Sequence, residues 1–166
     1  MRSAWCLILA ASGCGIADFD VTQSVPQQTI PGSGIPAPLA SLFPVPINLD
    51  LSSKIKAMNT GPIDSVTLSS LELTIRSPSD GSEDWSFVDK VDLFVESTRS
   101  GTTLPRVKLA TVSGPTGAVL KFDVDGSVNL KDYVDEGSQI DSTGSGTAPV
   151  HDVTYDGVGV FTVHPF

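Results

Sequence analysis

Most residues of this chain that could do chemistry are carboxylates. Their most suggestive run is Asp123-Val124-Asp125-Gly126-Ser127-Val128-Asn129, followed by Asp132 and Asp135. Oxygen ligands at alternating positions are what a calcium loop uses: side-chain oxygens at its first, third and fifth positions, Gly at the sixth for the sharp turn, and an acid at the twelfth. Counted from Asp123, the third and fifth positions are Asp125 and Ser127, but the sixth is Val128 and the twelfth is Val134. The helix–loop–helix calcium motif is excluded on this register. Asp123, Asp125, Asp132 and Asp135 remain weak candidates for a looser calcium site, against the simpler expectation of a strand leaving through an Asp-Gly turn. A second group of acids, Glu72, Asp92 and Glu96, falls on predicted strands. A glycan hydrolase would need two such carboxyls about 5–9 Å apart across a cleft. Period two instead places each on the solvent side of its strand.

Hydroxyls and imidazoles offer less. Ser53-Lys54-Ile55-Lys56 matches the Ser-x-x-Lys of penicillin-recognising enzymes, in which Lys deprotonates Ser across one helical turn. The partner motifs are missing: Ser79-Asp80 is followed by Gly81, and no Lys-Thr-Gly occurs. Asp141-Ser142-Thr143-Gly144 is one residue longer than the Asp-Thr-Gly of aspartic proteases, and no Gly-x-Ser-x-Gly occurs. The histidines are His151 and His164. His151 and Asp152 are sequence neighbours, so on a strand they would point to opposite faces. Two histidines without a further ligand motif do not make a zinc site. Members of a Ser-His-Asp triad need not be close in sequence, so such an assembly stays open. Trp85, next to Asp84, is either a ligand-stacking ring, as in carbohydrate binders, or the cap of a core; the core cap is the expectation. These motifs assign no catalytic residue, no metal and no cofactor, and the chain reads as a non-enzyme.

Composition narrows the partners. The chain has 166 residues, 40% hydrophobic and 17% charged, with a net charge of −9. That apolar share and length suffice for one domain with a core. The acidic balance repels phosphates and so argues against nucleic acid, and it is also a common solubility device. An anionic membrane surface would repel the chain too, unless something covalent holds it there. The cysteines are Cys6 and Cys14. Everything after them lacks a disulfide or thiolate site.

The N-terminus addresses the compartment. Arg2 supplies a positive start, Ala4 to Ala11 is an uncharged apolar run, and the small residues Ser12 and Gly13 follow. This is the layout of an export signal, too short to span a membrane. Ala11-Ser12-Gly13-Cys14 resembles the lipobox of bacterial lipoproteins, with Ala11 where that family commonly has Leu. The resemblance covers residues 1–14 only. It implies cleavage before Cys14 and a diacylglycerol, with palmitate-type acyl chains, on that cysteine. Gly15 is not the Asp that marks inner-membrane retention in enteric-type lipoproteins, so the same resemblance implies export to the periplasm and the outer membrane, with the leaflet left open. The alternative is an ordinary signal in which Gly15-Ile16-Ala17 serves a general signal peptidase and releases the chain at Asp18.

Between Asp20 and Asp50 the chain carries no charge, and residues 21–46 hold Pro26, Pro31, Pro36, Pro38, Pro44 and Pro46. Proline fixes φ and lacks the amide donor, which disfavours helix and central strand. The expected organisation is a signal peptide at 1–13, a lipidated cysteine and extended Pro-rich tether at 14–46, and a β domain at 47–166. The apolar residues from about Leu39 onward are expected to pack along the domain. The later sequence alternates with period two at Leu71 to Ile75, Val91 to Val95, Val119 to Val124 and Val158 to Val163. Such alternation reads as strands with one buried face. Turn signals separate them at Ser77 to Gly81, Ser97 to Thr103, Ser113 to Gly117, Asp125-Gly126, Ser142 to Pro149 and Asp156-Gly157. Leu49 to Met58 and Leu130 to Val134 are the helical candidates. The fold expected is an all-β antiparallel β-sandwich, jelly-roll or immunoglobulin-like, of seven to nine strands. Phe166 resembles the last residue of outer-membrane barrels, but His164 interrupts the outward face and the aromatic content of 7% is low for two girdles. The mature domain resembles envelope lipoproteins of Gram-negative bacteria, a resemblance that supplies no activity. The functional expectation is a lipid-anchored envelope domain that binds, adheres or scaffolds, with an envelope protein or glycan as partner. The alternative is an exported hydrolase or carbohydrate-active protein on the same scaffold.

Overall fold

The computed structural model describes residues 17–32, 61–78 and 84–166. The signal segment, Cys14, the Ser53-x-x-Lys56 motif and the helical candidate Leu49 to Met58 lie outside the described residues. Two antiparallel sheets account for most of the rest. Sheet I has the order β1 (Phe19–Ile30), β8 (Val153–Pro165), β2 (Ile63–Ser77), β5 (Val119–Lys121). Sheet II has the order β6 (Asp123–Val124), β4 (Val107–Ser113), β3 (Val88–Ser97), β7 (Ser138–Gly146). A helix, α1 (Lys131–Glu136), covers one end where it was expected. The all-β sandwich is thus observed. Its last strand lies between its first two, which is not the A-B-E-D order of an immunoglobulin sheet.

Alternation builds the core. On β2, Val66, Leu68, Leu71, Leu73 and Ile75 are buried; on β3, Val91, Leu93 and Val95; on β8, Val153, Tyr155, Phe161 and Val163. Among the described residues no polar or charged residue is buried. Each fully buried aliphatic or aromatic side chain contributes roughly 1.5–3 kcal/mol from leaving water. On the inner side of β8, Gly157 lets β2 approach: a Cβ there would lie 2.4 Å from the Glu72 carbonyl oxygen. The chain changes sheets at Phe122, whose N–H donates to Leu71 O at 3.1 Å, while Asp125 N–H donates to Leu109 O at 2.8 Å. That corner joins β5 and β6 covalently and closes one side of the sandwich.

Two sequence expectations are corrected. The tether assigned to residues 14–46 does not hold for Phe19–Ile30, which form β1 and pair along β8 from Phe19↔Val163 to Ile30↔Val153. Val21, Val25 and Ile30 enter the core. Pro26 is tolerated because β1 is an edge strand and its register with β8 shifts between Val25 and Gln28. A bulged edge does not need the missing amide. The turn expected from Ser142 is instead the second half of β7, because continuous pairing with β3, including Ser142↔Leu93 and Thr143↔Asp92, overrides the weak strand propensity of Ser and Gly.

The registers define two ends. Asp18, Ile63 and Pro165 lie at one, hereafter the Pro165 end; Ile30, Ser77 and Val153 lie at the other, the Val153 end.

Candidate functional site

Polar chemistry is confined to the outer faces, and its densest point is Asp92 on sheet II. The ladder registers set Asp123, Thr111, Asp92 and Thr143 side by side across all four strands. Lys90 Nζ lies 2.7 Å and Lys108 Nζ 3.9 Å from the Asp92 carboxylate. The Thr111 hydroxyl donates to it at 2.7 Å. The hydrogen bond from Lys90, then that from Thr111, hold the Asp92 carboxyl below its ordinary value. Two open depressions flank this row. One of about 290 Å³ is lined by Lys108, Thr111, Asp123 and Asp125; one of about 140 Å³ is lined by Lys90, Asp92, Thr143 and Ser145. Further along the face, the Arg106 guanidinium stacks 3.6 Å over the Phe94 ring and pairs with Asp141 at 2.7 Å. The face offers hydroxyls and paired charges, which suit hydrogen bonding to a polar surface. Its central carboxylate stays ionised and occupied, the opposite of a general acid.

The calcium candidates are not brought together. Asp123 and Asp125 line the larger depression, whereas Asp132 and Asp135 sit on or beside α1. Among the described residues no group of three or more His, Cys, Asp or Glu could hold a metal. Asp125 instead accepts from both the Ser127 hydroxyl and the Ser127 N–H, which together lower its pKa and close the Asp-Gly turn.

The acid group is dispersed as well. Glu72 is on sheet I, paired with Lys121 at 3.0 Å. Asp92 and Glu96 share β3 on sheet II, where Glu96 accepts from Gln139. Four residues along a strand span roughly 13 Å, beyond the ~9.5 Å upper separation of an inverting glycosidase pair.

The histidines separate. His151 lies in the loop before β8, where the neighbouring Asp152 accepts from Gly32 N–H at 2.8 Å. His164 Nδ1 is 2.9 Å from Asp18 Oδ2, a pair across β8 and β1 that distance in sequence concealed. Ser65 stands opposite His164 in the ladder, but its hydroxyl makes no hydrogen bond to that imidazole, so His164 does not activate that serine. Trp85 is fully buried, with its indole N–H on Ala118 O at 3.0 Å and its ring edge-on to Tyr155. It is a core cap and not a stacking platform. Burial alone pushes the Tyr155 hydroxyl up to about 12.

Exposed apolar side chains mark the two ends. Phe166, 73% exposed, lies at the Pro165 end, with Lys131 Nζ 5.7 Å from its ring. Val150, 69% exposed, lies at the Val153 end. The two open sheets leave Phe166 outside any closed barrel. Neither a protein-family model nor a curated protein matches this chain.

Proposed function

We propose that this protein is a non-catalytic envelope domain, anchored through diacylglycerol on Cys14 at the outer membrane, that binds an envelope protein or glycan through its polar outer faces. The observation that supports this best is the dispersal of its reactive groups. Glu72 and Asp92 lie on opposite sheets, Asp92 is neutralised by lysines, and the core holds no polar side chain among the described residues. A hydrolase of this size would gather those groups in a cleft. An anchor supplies membrane residence that the net charge of −9 would otherwise oppose. The intact mass of the chain purified from membranes tests the anchor beside a Cys14→Ala variant. A chain beginning at Cys14 with acyl mass, absent from the variant, is the expected result. An unmodified chain beginning near Asp18 would sink it.

A further inference from the structure

The Pro165 end and the Val153 end differ in what a lipid on Cys14 could reach. From Cys14 to Asp18 the chain spans at most roughly 14 Å fully extended. Asp18 is held by His164 at 2.9 Å, and Phe19 opens β1 immediately after it. An acylated Cys14 is therefore leashed to the Pro165 end. The strands run away from there: β8 alone has 13 residues, about 40 Å of strand. The Val153 end lies beyond the reach of that leash.

Phe166 sits at the leashed end and is 73% exposed. Its backbone is tied to the domain, because its N–H donates to Pro62 O at 3.2 Å. Its ring has the Lys131 ammonium 5.7 Å away. An exposed aromatic ring beside an amine matches the headgroup layer of a bilayer, where rings bury their apolar body and amines meet phosphates. In water the same ring leaves a large apolar surface exposed.

We infer that the Pro165 end rests on the lipid surface, with Phe166 entering the headgroup layer and the Val153 end directed away from the membrane. This rests on the Cys14 anchor proposed above. Asp18, Asp64 and Asp132 also crowd this end, so the surface it fits is zwitterionic and charge does not supply the hold. The acyl chains bring the domain down, and Phe166 selects which side meets the lipid. Consequently both outer sheet faces stand roughly perpendicular to the bilayer and remain open to a partner.

The test uses the full acylated chain in phosphatidylcholine nanodiscs. Asp64→Cys and Val150→Cys each carry one nitroxide, with Phe166 left in place, since the Cys14 sulfur is blocked by lipid. Accessibility to a water-soluble nickel chelate should be roughly fivefold or more lower at 64 than at 150, with oxygen accessibility in the reverse order. In the unacylated Cys14→Ala background the two labels should read alike. As a second probe, Phe166→Trp fluorescence should be quenched by brominated lipid, while the buried Trp85 is not. Equal chelate accessibility at both positions in the acylated protein, or protection at 150, overturns the orientation. An intact mass without acyl groups overturns the anchor itself, so the two failures are told apart.

Discussion

The two ends of the sandwich are closed by different means. At the Pro165 end the closure is made by polar groups reaching between elements. Asp18 meets His164, Asn129 Oδ1 accepts from Val66 N–H at 3.2 Å and Lys131 N–H at 2.9 Å, and Leu130 N–H donates to Val66 O at 2.7 Å. At the Val153 end backbone packs directly on backbone, with one side-chain tie in which Gly32 N–H donates to Asp152 Oδ1 at 2.8 Å. Gly32 packs on the 150–152 loop so tightly that a Cβ would stand 2.4 Å from the His151 carbonyl carbon and 2.7 Å from Val150 O. Side-chain closures can be lost one hydrogen bond at a time. A backbone contact has no flexible atom to yield, so any added group must move a strand.

The largest effect expected from this contrast is at Gly32. Gly32→Ala should cost about 1–3 kcal/mol, the usual range for overpacking against groups that cannot relax. It would appear as a lower urea midpoint with an unchanged slope. A variant as stable as the parent would mean that the 150–152 loop moves freely and that the ends are not different in kind. Asn129→Ala should cost about 1–2 kcal/mol, because the N–H of Val66, itself 1% exposed, is left without its acceptor. Amide exchange should quicken at Val66 and Lys131 but not at Gly32, which would show that the closures are independent.

The smallest effect, and the sharpest on mechanism, is in acid. Hydrogen bonds from Ser86 hold Asp84 below its ordinary value, and hydrogen bonds from Thr102 and Ser97 do the same for Glu136. Asp84 braces the turn at Trp85, beside the Val153 end, and Glu136 ties the β3–β4 loop to α1. A folded-state pKa below the unfolded one confers stability above the unfolded value, roughly pH 4, that is lost as pH falls through the folded value. Stability should therefore be flat in these groups from neutral pH to about 5 and decline below about 4. Protection factors for amide exchange at Ser86 and Thr102, corrected for the intrinsic pH dependence, should fall over that same range. Protection that falls instead between pH 7 and 5 would assign the control to other groups.

Much of the architecture was legible in the residues. Leu71 to Ile75 and Val91 to Val95 alternate because one face of each strand is dry, and that pattern survives any strand order. Trp85 read as a core cap because a large ring is more often buried than left as a platform. Proline content alone suggests a tether where β1 forms. An edge strand with a bulge tolerates Pro26, and whether a strand lies at an edge is not a local property. β7 was half missed because Ser, Thr and Gly carry little propensity of their own, and pairing with β3 supplied what the residues lacked. The calcium candidates looked adjacent along the chain, yet Asp132 and Asp135 lie on α1 while Asp123 and Asp125 line the larger depression.

By itself the amino-acid sequence determined the acidic charge, the alternation that makes sheets, and a lipobox-like stretch ending at Cys14, since each depends on residue identity and near neighbours alone. Tertiary structure decided which carboxylates meet cations, that Asp18 would find His164, and that Phe166 would stand exposed at the same end as Asp18. Those outcomes depend on which strands become neighbours and at what register, and cross-strand packing sets that between residues far apart in the chain.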